Sequence, residues 1–212
     1  MTLNLAIGPL ALFSLVGSIT PGPNNLMLMR SGAKFGMRRS VGHAVGVQIG
    51  FLGLMLLSWL GVGAVLIAFP AAFIVLRWLC FAYLMWLAWV VLQDGRLPDS
   101  ARDLARPTAA QSSPVQTRPM SCAEAIAFQL INPKAWMMTV TVVSAFYGGI
   151  APRFMDVAAA TMICMAIGIV CMTIWTAWGA SLHHLLEQPR SRKLFSYSMA
   201  ALVVASALWI LR

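Results

Sequence analysis

Thr20-Pro21-Gly22-Pro23-Asn24-Asn25 interrupts an apolar segment that otherwise runs from Leu3 to Met29. Pro21 and Pro23 each lack a backbone N–H and clash with the preceding turn, and Gly22 tolerates backbone angles that other residues avoid. The two asparagines bring side-chain groups able to cap backbone positions freed by the break. A helix therefore stops and restarts here. In hydrocarbon an unpaired backbone group costs several kcal/mol, so such a break survives only where protein or a water-filled cavity covers it. The unbroken front part, Asn4 to Ile19, reaches only about 24 Å as a helix against a hydrocarbon thickness of about 30 Å. The break is expected inside the bilayer as part of a binding site; the alternative is a short first helix ended by an interfacial turn.

That the segment lies in a membrane follows from composition. Of 212 residues, 60% are hydrophobic and 10% charged, and the mean hydropathy is +0.80. Soluble domains carry about 25% charged residues, and a chain of this size has no core large enough to hide so much apolar sequence. The net charge of +9 does not point to nucleic acid. Its Lys and Arg sit in short connections between apolar segments rather than on one basic face. Cys80, Cys122, Cys164 and Cys171 have no metal-ligand spacing and read as small packing residues. No HExxH, GxSxG or paired carboxylates lie within the spans, which argues against a membrane-embedded enzyme. No cofactor is expected. Met1 to Gly8 has no basic residue ahead of its apolar run and no small-residue cleavage site, so the first segment is expected to be retained.

Six segments are long enough to cross a bilayer. They are Leu3 to Met29, Val41 to Phe69, Ala71 to Gln93, Cys122 to Tyr147, Phe154 to His183 and Leu194 to Leu211. The polar stretch from Asp94 to Pro119 divides the chain into a first repeat (1–93), a cytoplasmic linker (94–120) and a second repeat (121–212). Arg30, Lys34, Arg38 and Arg39 are expected in a short polar loop. With Arg96, Arg102, Arg106, Arg118, Arg190, Arg192 and Lys193 they are expected on one side, whereas Arg153, Arg212 and the snorkelling Arg77 are expected on the other. The positive-inside rule then puts both termini outside the cytoplasm. Gly42, Gly46 and Gly50 form a small-residue ridge on the second span, a helix-packing signal that could also serve a homodimer. Ala160, Cys164 and Gly168 form another on the fifth.

The fourth span carries the second informative stretch, Gln129-Leu130-Ile131-Asn132-Pro133-Lys134. Pro133 frees the carbonyl of Gln129, Asn132 can satisfy loose backbone groups, and Lys134 places a cation some ten residues into apolar sequence. A simple kink with a snorkelling lysine is the alternative. Each break lies in the first helix of its half, and the two halves cross in opposite directions. Corresponding breaks in an inverted repeat point to a secondary transporter whose substrate site lies where they meet. The fold expected is all-α, with six transmembrane helices as two inverted three-helix repeats and helices 1 and 4 broken.

At these residues the chain resembles the LysE family of amino-acid exporters. The resemblance runs through TPGPNN (20–25), GAKFGMRRSVGHAVGVQIG (32–50), AYLMWLAW (82–89) and QLINPKAW (129–136), in span order along the whole chain. NPKAWMMTVTVVSAF (132–146) looks more similar to the cysteine and O-acetylserine exporter branch than to the lysine or threonine branches. Cys80-Phe81-Ala82-Tyr83 departs from the Gly-Ala common before that tyrosine. The resemblance implies export of a small amino acid across the bacterial inner membrane, driven by protons, with no nucleic-acid partner. A passive channel or a non-transporting membrane subunit is the other class of function.

Roles for the residues at the breaks follow. The half-helix starting near Asn24 and Asn25 would direct free N–H groups at the substrate carboxylate. Lys134 would be a second carboxylate partner, or carry the proton. Carbonyls freed by Pro21, Pro23 and Pro133 would face the ammonium group. Gly22 and Asn132 belong to the broken segments themselves, and Gln48, Tyr83 and Gln129 are further contacts.

Overall fold

The computed structural model describes residues 7–62, 65, 68–96, 118–145, 153–182 and 188–210. Among these residues it holds seven helices and no strand. They are α1 (Ile7–Ile19), α2 (Pro23–Trp59), α3 (Pro70–Arg96), α4 (Cys122–Ile131), α5 (Pro133–Ala145), α6 (Phe154–Ser181) and α7 (Pro189–Ile210). Both expected breaks are present. Thr20 to Gly22 separates α1 from α2, and the single residue Asn132 separates α4 from α5. Each restarted helix opens on a proline at its first position, Pro23 or Pro133, where a missing N–H loses nothing.

Among the described residues three helical stretches are long and apolar enough to cross a membrane: one within Pro23–Trp59, together with Ile74–Gln93 and Phe154–Ser181. The apolar helices Ile7–Ile19, Cys122–Ile131 and Lys193–Leu208 are shorter. The first two are short because each is one half of an interrupted helix. Most of the linker (97–117) and the histidine pair expected at the end of the fifth span, His183 and His184, lie outside the described residues.

The polar loop expected at Arg30 to Arg39 is instead helical, and Arg30 is buried at 7% exposure. The chain reverses at one residue. Gly36 has φ 78° and ψ 168°, a conformation that side chains with a Cβ rarely adopt. Ser31 and His43 stand twelve residues apart, about 18 Å along a straight helix, yet Ser31 Oγ lies 3.0 Å from His43 Nδ1. α2 is thus a hairpin of two arms, 23–35 and 37–59. A glycine turn needs no loop, and Lys and Arg are good helix formers, so the charges sit on the helical arms beside the tip.

α2 makes its most extensive contact with α6, then with α4, while α1 lies against α6 and α3 pairs with α7. The glycine ridge works within the chain. Gly46 is packed on Cys122 and Ala125, and Gly50 on Ile126 and Gln129, both from α4. Only Gly42 of the three is open, so the ridge is not free for a second copy. On the fifth span Ala160 and Cys164 are buried with Leu10, Met55, Val142 and Val157, and Gly168 faces Gln48. Leu12, Trp78, Met162 and Leu194 are each more than half exposed, which fits a chain whose outer surface meets lipid.

α4 begins with a capping box that its sequence, Ser121-Cys122-Ala123-Glu124, spells out. Ser121 Oγ accepts from Glu124 N at 3.2 Å, and Glu124 Oε2 accepts from Ser121 N at 2.7 Å. Arg118 grips the same carboxylate with two bonds of 2.7 Å. This pair is solvent-exposed and contributes little energy; its effect is to fix where α4 enters.

Candidate functional site

A helix that stops leaves its last carbonyls without partners. At the end of α1 Val16 O accepts from Thr20 N at 3.2 Å, and the carbonyls that follow are each taken by a side chain. Thr20 Oγ1 donates to Gly17 O (3.2 Å), Asn25 Nδ2 to Ser18 O (2.7 Å) and Thr20 O (2.9 Å), and Trp175 Nε1 of α6 to Ile19 O (3.1 Å). Lys134 completes the set. Its ammonium donates to Thr20 O at 3.1 Å and to Thr20 Oγ1 at 2.9 Å. The freed carbonyls expected to face an ammonium ligand are therefore occupied by the protein itself.

The second break is closed in the same manner. Gln129 O accepts from Asn132 N at 3.2 Å, so the carbonyl expected to be free is bonded. Asn132 O caps α5 by accepting from Ala135 N (3.1 Å) and Trp136 N (3.2 Å), and Asn132 Oδ1 accepts from Lys134 N (3.2 Å). Trp136 Nε1 holds Leu130 O at 2.9 Å. These bonds set the direction in which Lys134 leaves α5.

Between the breaks lies Gln129, 2% exposed. Its Oε1 accepts from Asn24 Nδ2 (2.8 Å) and Asn132 Nδ2 (3.2 Å), and its Nε2 donates to Val47 O (3.2 Å). One side chain thus joins α2's start, its second arm and the α4–α5 junction. Replacing Gln129 by Leu removes all three bonds and strands buried amides, at a cost of at least about 2 kcal/mol. A fall in the thermal unfolding midpoint on the order of 5 °C in detergent is the expected outcome.

The breaks border a partly open cavity of about 80 Å³, lined on its polar side by Ser18, Gly22, Asn24, Asn25, Gln48, Gln129, Asn132 and Lys134. Pro23 also lines it, and Phe51, Met138, Cys164 and Met172 form an apolar wall. At roughly 10–15 Å³ per water-sized position, it holds about six such positions. Gln48 is held by donation to Met165 O at 3.0 Å. Pro21 and Pro133 shape the breaks without lining the cavity, and Tyr83 stands elsewhere, its ring 4.9 Å from Phe128 and 5.6 Å from Trp86.

Three kinds of group at the breaks have hydrogen-bonding capacity that the protein does not use. Asn24 Oδ1 is buried without a hydrogen-bond partner. The first intrahelical bond of α2 is Leu26 N to Gly22 O at 3.0 Å, which leaves the amides of Asn24 and Asn25 as first-turn donors at the positive end of the dipole. Lys134 uses two of its three ammonium donors on Thr20. The cavity therefore offers a cationic set of donors for a carboxylate, and an acceptor without a partner, Asn24 Oδ1, is buried beside it.

Sequence reasoning did not assign roles to Thr20, Trp175 or Met138. Thr20 lies in the quoted stretch, and its hydroxyl beside a proline break is a signal for capping; Met138 stands four residues after Lys134 on α5, a spacing that puts both on one face, whereas Trp175 comes from a helix distant in sequence and gives no local sign.

A family model for LysE type translocators matches residues 15–212, which includes both breaks. Among curated relatives are proteins named cysteine/O-acetylserine efflux protein from Escherichia coli (strain K12), Escherichia coli O6:K15:H31 (strain 536 / UPEC) and Shigella flexneri serotype 5b (strain 8401). Each is 28% identical over 177 residues, covering 83% of this chain and 83% of the relative. No solved structure gives a significant match.

Proposed function

The chain belongs to the family of LysE type translocators, and from that premise we propose that it exports cysteine, O-acetylserine or a similarly small neutral amino acid, driven by the proton gradient. It is a multi-pass membrane transport protein and not an enzyme. The observation that carries the proposal is the meeting of the two breaks, Asn24 to Gln129 and Thr20 to Lys134, around one cavity. Its room for about six water-sized positions suits a compact amino acid. The substrate carboxylate sits at Lys134 and the amides of Asn24 and Asn25, its ammonium at Asn24 Oδ1, and its side chain against Phe51, Met138 and Cys164.

We further take the chain as six spans in two inverted halves, in the bacterial inner membrane with both termini periplasmic. The contacts support this by their exchange between halves: α1 lies on α6 as α4 lies on α2, and α3 pairs with α7. The cavity then opens alternately to either side of the membrane.

The purified protein in vesicles decides the matter. With an imposed proton gradient it is expected to concentrate labelled L-cysteine or O-acetylserine several-fold above the outside level, and to lose that accumulation when an ionophore collapses the gradient. Mere equilibration would mean a channel, and no flux of either compound would overturn the substrate assignment.

A further inference from the structure

A histidine within an apolar helix needs partners for both ring nitrogens. His43, 1% exposed on the second arm of α2, has only one. Its Nδ1 meets Ser31 Oγ of the first arm at 3.0 Å, and its Nε2 is buried with no partner. Such an atom is destabilising where it stands, and a leucine of similar size would fill the space without it. The position matters too. His43, Gly46, Val47 and Gly50 share one face of the arm at spacings of three and four, and Val47 lines the cavity. His43 thus stands one turn, about 6 Å, from the cavity wall, and Ser31 lies on the arm whose first turn carries Asn24 and Asn25.

The charged groups around the ring are few. Glu124 of α4 acts on it across the interface, already paired with Arg118. On the first arm Arg30 and Lys34 have contacts of their own, and Arg38 and Arg39 are exposed beside the hairpin tip. α6 carries no charged residue after Asp156, and α7, which touches α2 lightly, bears its charges, Arg190, Arg192 and Lys193, at its start.

We propose that the Ser31–His43 pair is the proton site of the transport cycle, a deepening that rests on the proton-driven export reading above. One proton from the outer side binds the imidazole and leaves to the cytoplasm in the next half-cycle, while substrate moves the other way. In the neutral ring one nitrogen accepts; in the charged ring both donate, so the Ser31 hydroxyl must turn to accept. The two arms, which carry Asn24, Asn25 and Gln48 of the cavity's polar groups, are thereby held differently in the two protonation states.

The test separates exchange from coupling in vesicles containing the full chain and labelled L-cysteine. His43→Gln is expected to keep counterflow exchange at equal pH within about threefold of wild type and to lose gradient-driven accumulation by at least about tenfold. In detergent, with a pH-sensitive dye, cysteine addition is expected to change bound protons in wild type but not in His43→Gln. Ser31→Ala, a milder change, is expected to fold and to move the pH midpoint of accumulation. Accumulation or proton release at wild-type level in His43→Gln overturns the proposal, and if that variant does not fold, an unmoved midpoint in Ser31→Ala does so. A wild-type protein that exchanges cysteine but ignores the proton gradient sinks both this assignment and the proton-driven reading; one that transports no amino acid sinks the export reading first.

Discussion

Replacing Gly179 or Gly32 by leucine is expected to leave almost no folded protein in the membrane. A Cβ on Gly179 would overlap the carbonyl oxygen of Met29, and one on Gly32 the carbonyl oxygen of Thr176. Both obstacles are backbone, so no rotamer change relieves them; α6 and the first arm of α2 would have to separate along their whole contact. Overpacking costs typically 1–3 kcal/mol for added methylenes that side chains can absorb. Two rigid helices forced apart exceed that, against a total stability of about 5–15 kcal/mol. Even Gly179→Ala is expected to lower the thermal midpoint by several degrees and to weaken transport, because the displaced arm carries Asn24 and Asn25. Gly42→Leu and Gly53→Leu, at positions with nothing within 4 Å, are the controls. Size-exclusion profiles of the four leucine variants in detergent read the outcome; a monodisperse Gly179→Leu protein with wild-type yield would refute the close crossing.

Both interruptions were legible because proline and glycine act locally. Pro21, Gly22, Pro23 and Pro133 announce their effect within a turn of helix, and Lys134 declares itself by standing in apolar sequence. The glycine ridge was equally plain, though its partner was not: a ridge says that something packs closely, while only coordinates say that α4 does. The hairpin at Gly36 was hidden, since a basic stretch of good helix formers has the composition of a loop and lets one positive φ replace it. That the two breaks meet was expected from their corresponding places in the two halves, but which atoms pair across them left no sign. Lys134 reaches Thr20 across 114 residues, Asn24 reaches Gln129 across 105 and Trp175 reaches Ile19 across 156. For that reason the carbonyls beside the prolines looked free in sequence and are bonded in the fold. Tyr83 looked like a pocket residue because a hydroxyl deep in a span needs a partner, whereas its ring is used against Phe128.

Lys134→Met is expected to lower transport by roughly 10- to 150-fold while leaving the protein folded. A hydrogen bond to a charged group contributes about 1.5–3 kcal/mol, and each 1.4 kcal/mol is a factor of ten. The fold tolerates the loss because Thr20 O keeps its bond from Asn25 and Thr20 Oγ1 keeps its own to Gly17 O. The substrate does not tolerate it, since the third ammonium donor and the positive charge go together. Arginine is not expected to rescue. The lysine stem and ammonium already lie 3.0–3.2 Å from where a Cβ on Gly22 would stand, so the longer planar guanidinium does not fit between the break and α5. Gly22→Ala tests the same contact from the other side: the lysine tip must give way by a few tenths of an ångström, and a smaller loss, on the order of threefold, is expected. Initial rates of cysteine flux in vesicles, normalised to reconstituted protein, measure all three. A Lys134→Met protein that transports at the wild-type rate would take the cation out of substrate recognition and leave the carboxylate to the amides of Asn24 and Asn25 alone.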